Sequence, residues 1–114
     1  MPYIKEENRL SLDRCIKEMV LCIESNADIN TDQPTLSNEE FLSIVGDINY
    51  TFSRIITNLM GKPSYPKIAI VTGVLENIKQ EFYRRLASPY EDKKTKENGD
   101  IPEYSIYKIN KPYF

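Results

Sequence analysis

From Phe41 onward the apolar residues fall at alternating spacings of four and three: Phe41, Val45, Ile48, Phe52, Ile55 and Leu59. That spacing persists for nearly three heptads, and only a helix places such residues on one face. The helix has a clear start. Ser37 is an N-cap candidate and Glu40, three residues on, completes a capping box; Leu36 and Phe41 have the spacing of a hydrophobic staple. It also has a clear end, because Gly61 followed by Lys62-Pro63 matches a C′ glycine with proline just beyond. Ile44, Ile56 and Met60 flank the stripe.

Two further stripes obey the same rule. Leu12, Cys15, Ile16, Met19, Cys22 and Ile23 predict a helix from about Leu12 to Ser25, widened by Val20 and Leu21, with Arg14, Lys17, Glu18 and Glu24 off that face. A third runs through Ile68, Val71, Leu75, Ile78 and Phe82, begins near Pro66 or Lys67, and is extended by Ile70, Val74 and Leu86. The polar stretch between the first two, with Asp28, Asp32 and Pro34, reads as a loop. Gly61 to Tyr65 is short enough to join antiparallel neighbours. Gly46 and Gly73, inside helices, mark either a close helix crossing or tolerated glycines.

Beyond these stripes, Ser88-Pro89-Tyr90-Glu91 reads as a second capping box opening a short solvated helix. Its acids come first and Lys93, Lys94 and Lys96 last, before Asn98-Gly99. Residues 101–114 hold Tyr104, Ile106, Tyr107, Ile109, Tyr113 and Phe114 between and beyond Pro102 and Pro112, and read as an extended arm, strand or coil. The expected fold is all-α: a three-helix antiparallel bundle with a short fourth helix, forming a domain over residues 1–100, and a C-terminal arm over 101–114.

Composition narrows function mainly by exclusion. The 114 residues carry a formal charge of −2, with 40% apolar and 28% charged residues, the balance of a globular domain. Such a charge gives no general attraction for double-stranded nucleic acid or an anionic membrane. No apolar run approaches the roughly 20 residues of a membrane span, and Met1-Pro2-Tyr3-Ile4 lacks the layout of a signal peptide, so a cytoplasmic location is expected. Cys15 and Cys22 lie two helical turns apart, roughly 10 Å along one helix, too far to bridge. They read as small core residues in a reducing compartment. The chain has no histidine, which removes histidine-based triads, ordinary zinc sites and di-iron bundle motifs. No cofactor or metal is expected.

Several separated blocks carry a resemblance: Gly46-Asp47-Ile48-Asn49-Tyr50, Gly73-Val74-Leu75-Glu76, Glu81-Phe82-Tyr83-Arg84-Arg85, Pro89-Tyr90-Glu91-Asp92-Lys93-Lys94 and Glu97-Asn98-Gly99-Asp100. Together with the opening Met1-Pro2-Tyr3-Ile4, they resemble a family of short uncharacterised proteins from bacteriophages and bacterial or metagenomic genomes. The likeness covers roughly residues 1 to 101; many members stop soon after the Asn-Gly-Asp block, so the tail departs from the pattern. It implies a phage or mobile-element accessory protein, with no catalytic residues to carry over.

Two polar sets are the candidate sites. Tyr83, Arg84, Arg85, Tyr90, Lys93 and Lys94 combine guanidinium forks for phosphate with rings that can stack on a base, and a helix start near Ser88 would add free N–H groups. The alternative is a solvated surface in which Arg84 and Arg85 pair with Glu81, Glu91 or Asp92. Asp47, Asn49, Arg54, Glu76 and Asn77 form the second set, as a polar pocket or as an interhelical salt bridge between Arg54 and Glu76.

Three functional readings follow. One is a non-enzymatic homo-oligomer that sequesters a small anionic signalling nucleotide or binds a host defence protein. Another is an interaction module that oligomerises through its helices and its arm. The last is a small hydrolase using carboxylates and a divalent cation.

Overall fold

A computed structural model describes residues 3–29 and 35–105. Asp32 and Pro34 of the first loop lie outside those residues, as do Ile106, Tyr107, Ile109, Pro112, Tyr113 and Phe114 of the tail. The fold is all-α, with no strand among the described residues. A 3-10 turn at Glu6–Asn8 leads into α1 (Leu10–Asn26). Then come α2 (Asn38–Ser43), α3 (Val45–Met60), α4 (Tyr65–Phe82), a π-helical turn at Tyr83–Ala87, and α5 (Ser88–Asn98). The chain divides into two compact units, Met1–Val71 and Thr72–Phe114, with the boundary inside α4.

In the first unit the local signals act as the sequence predicts. The capping box forms in both directions: the Glu40 amide donates to Ser37 Oγ at 3.1 Å, and the Ser37 amide donates to Glu40 Oε1 at 2.9 Å. Two of the amides that a helix start leaves unpaired are thereby satisfied. Gly61 ends α3 at φ 64°, a region that costs an L side chain energy but not glycine, and its N–H reaches the Thr57 carbonyl. Lys67 closes the following turn, its Nζ donating to the Met60 and Lys62 carbonyls at 2.9 and 3.1 Å. The α4 start is capped by Ser64, whose Oγ accepts from the Lys67 amide.

One helix predicted as continuous is interrupted. At Ile44 the backbone turns to φ −103°, ψ 3°, and the Ile44 amide bonds three residues back, to Phe41. Ser43 contributes, since its hydroxyl donates to the Glu40 carbonyl at 2.6 Å, a local bond that competes with the helical ladder. The bend turns Ile44 inward. Among the described residues only Ile44 and Ile29 are buried apolar side chains.

In the second unit α4 passes into α5 without a break. Ser88 and Ala87 are both in the right-handed helical region and neither caps a helix, so the Ser-Pro-Tyr-Glu box does not form. The physical cause is upstream: Phe82 to Ala87 are already helical, and a cap needs an extended residue before it. Proline at 89 then has no N–H to give and its ring would strike the carbonyl four residues back. The chain accommodates it with the π turn, in which the Ser88 amide reaches back five residues to Tyr83 O. Gly99, at φ 88°, ends α5. Residues 102–105, the first part of the arm expected to be extended, form a helical turn instead, with the Ser105 amide bonded to the Ile101 carbonyl.

Candidate functional site: a basic helical segment and an apolar groove

The basic and aromatic residues of the first candidate set lie along one stretch of helix, from the π turn into α5. Their charges are matched by neighbours at helical spacing. Arg84 Nη2 meets Glu81 Oε1 and Oε2 at 3.0 and 3.1 Å. Lys94 Nζ meets Glu97 Oε2 at 3.2 Å and stands 5.6 Å from the Tyr90 ring centroid. Tyr83 donates its hydroxyl to Glu91 Oε2 at 3.4 Å. Lys93 and Arg85 are exposed. The helix runs unbroken through Ser88, so the free amide groups expected there are absent: each amide in a continuous helix already has a carbonyl to bond. What the segment offers a phosphate is therefore side chains alone, with Arg84 and Lys94 already facing carboxylates.

In the second polar set, Arg54, Asn49 and Glu76 find partners within their own helices. Arg54 Nη1 donates to Tyr50 Oη at 2.8 Å, and its guanidinium lies 5.6 Å from that ring's centroid. Asn49 Oδ1 accepts from Ser53 Oγ at 3.4 Å. Glu76 Oε1 accepts from Gln80 Nε2 at 2.9 Å, and Asp47 sits in the first turn of α3. A β-carbon built at Gly46 or at Gly73 meets nothing within 4 Å among the described residues. Among the described residues no three Cys, Asp or Glu gather as metal ligands.

A feature that sequence reading assigned to the core is open. In the first unit α1 and α2–α3 line a groove of about 610 Å³ whose walls are almost wholly apolar. Leu12, Ile16, Met19 and Ile23 come from one side; Phe41, Ile48, Phe52 and Ile55 from the other. Cys15 lines it too, and both cysteines are exposed free thiols instead of core residues. The stripes exist as read; what differs is that, among the described residues of the first unit, their side chains stay largely exposed. The spacing that revealed each stripe carries no information on what would cover it.

The class of molecule defined here is an all-α chain that carries an apolar groove on its first unit. The chain belongs to the family of the domain of unknown function DUF6899, which matches residues 1–101. The match ends at Ile101, so the arm lies beyond it. Neither a curated protein nor a solved structure matches the chain. No helix among the described residues is long and apolar enough to cross a membrane.

Proposed function

We propose that this chain acts by binding protein, as a helical interaction module that self-associates through its apolar helix faces. One observation carries the reading. Leu12, Ile16, Met19, Phe41, Val45, Phe52, Ile55 and Leu59, all in the first unit, are between 39% and 83% exposed. Six of them, Leu12, Ile16, Met19, Phe41, Phe52 and Ile55, line the same groove, so this exposure is gathered on one face instead of scattered. A run of exposed large apolar side chains along one groove is the kind of surface through which proteins associate. Covering it removes apolar surface from water, and the hydrophobic effect supplies the drive. The phage-type resemblance makes a mobile-element accessory protein the setting in which we place the module.

Multi-angle light scattering on the full chain tests this directly. The expected result is a mass at a whole multiple of 13.3 kDa, with a melting midpoint that rises with protein concentration. A 13.3 kDa species at all concentrations overturns the reading.

A further inference from the structure

Resting on that reading, we propose that the groove of the first unit is occupied by α1 of a second copy, running antiparallel to the α1 it covers. The case starts from spacing. Leu12, Ile16, Met19 and Ile23 follow one another by four, three and four, an order that is the same read in either direction. Two such rows laid antiparallel about a two-fold axis set Leu12 opposite the other copy's Ile23, and Ile16 opposite its Met19. A two-fold interface uses one patch twice, and this row is self-complementary in that sense.

The flanks of the row choose the direction. At 100° per residue, Cys15 and Cys22 fall on one side of the row, and Arg9 and Glu24 on the other. Antiparallel packing turns each flank toward the same flank of its partner; parallel packing turns it toward the opposite one. Arg9 of one copy then faces Glu24 of the other, twice over. Glu24 is half-buried at the groove wall, the position from which it would meet an incoming guanidinium.

Helix charge agrees. Residues 9–17 carry Arg9, Asp13, Arg14 and Lys17, a net +2, whereas residues 18–26 carry Glu18 and Glu24, a net −2. That order opposes the helix's own dipole, which favours acids at the start and bases at the end. Arg9 supplies no side-chain cap, and the last turn has no basic residue. The order is unfavourable for α1 alone and favourable for two α1 helices side by side in opposite directions, where each positive half lies along a negative half. A parallel pair would place like halves together. The groove is lined on one side by the α1 row itself, so a second copy brings to it the same apolar row that it presents.

Thiol cross-linking of the full chain reads out this geometry. In the antiparallel pair Cys15 of one copy lies near Cys22 of the other, whereas Cys22 is remote from its own counterpart. Two thiols can then close one disulfide, their two electrons and two protons passing to added diamide. The expected result is a particle of twice 13.3 kDa by light scattering, converted by diamide to a covalent dimer. Cys15→Ser alone and Cys22→Ser alone should each abolish the cross-link, and a mixture of the two variants should restore it. Arg9→Glu and Glu24→Arg should each weaken the dimer about fivefold, with the mixture recovering. A dimer that never cross-links, or one that cross-links in both single variants, overturns the antiparallel pairing while leaving self-association standing. A monomer overturns both.

Discussion

The groove of the first unit and α5 of the second treat their side chains in opposite ways. Along α5 and the π turn, polar groups find partners three or eight residues away on the same helix: Arg84 with Glu81, Lys94 with Glu97, Tyr83 with Glu91. Short-range chemistry answers most of the demand, so the segment tolerates water on its surface. The α1 and α3 stripes have no such recourse, because apolar groups gain only from the removal of water, and adjacent turns of the same helix cannot supply that. The lesson is that secondary structure completes α5 but leaves the groove incomplete. On the proposed reading, a partner matters to the first region and little to the second.

Breaking this contrast should begin at the groove. Ile16→Asp places a charge in the middle of the α1 row, where an unpaired buried charge is costly. We expect association to be weakened at least a hundredfold, read as monomer by sedimentation, with helical circular dichroism retained. Unchanged association would separate the groove from self-association. A smaller effect is expected at the capping box: Ser37→Ala removes the acceptor for the Glu40 amide and should cost about 1 kcal/mol in urea unfolding at fixed protein concentration. A neutral result would mean that the α2 start is held by something other than its cap.

Of similar or slightly smaller size, and opposite sign, is Gly46→Ala. The added β-carbon meets open space, and alanine favours a helix interior by up to about 1 kcal/mol, so the melting midpoint should rise. A fall would reveal a close neighbour on that face of α3. The smallest effect belongs to the second region: Arg84→Ala breaks an exposed pair and should change stability by no more than about 0.5 kcal/mol. Linear and cyclic nucleotides, screened by thermal shift, should leave the midpoint unmoved. A rise of roughly 10 °C with one of them, lost in Arg84→Ala, would transfer the functional centre to the basic segment.

Much of the helical outline was legible because its signals are local. Ser37 and Glu40 satisfy one another across three residues, and Gly61 stops α3 by its own backbone freedom. The same four-residue signature misled at Ser88, since a cap depends on what precedes it and Phe82 to Ala87 were still helical. Pro89 was the signal for the π turn: a proline well inside a run of helix formers must displace the carbonyl behind it. The site divides similarly. Pairing of Arg84 with Glu81 follows from their spacing, one of the alternatives the sequence left open. Exposure of Cys15, Phe52 and Leu59 does not, because burial is decided by tertiary or quaternary neighbours that periodicity does not name.

The π turn also acts as a phase shifter. It holds one residue more than an α turn, so whatever follows is offset by about 100° from where uninterrupted winding would put it. The Tyr83–Glu91 bond, at a spacing of eight where a regular helix would align residues seven apart, is the direct trace of that offset. Tyr90 and Lys94 accordingly fall in line with Phe82, in the places Pro89 and Lys93 would otherwise hold. In genetic terms the segment behaves like a one-residue insertion the helix has absorbed. Deleting a single residue between Tyr83 and Ala87, so that the turn closes to α, would leave the side chains of α5 aimed as they are now, whereas closing the turn without a deletion would re-aim every one of them.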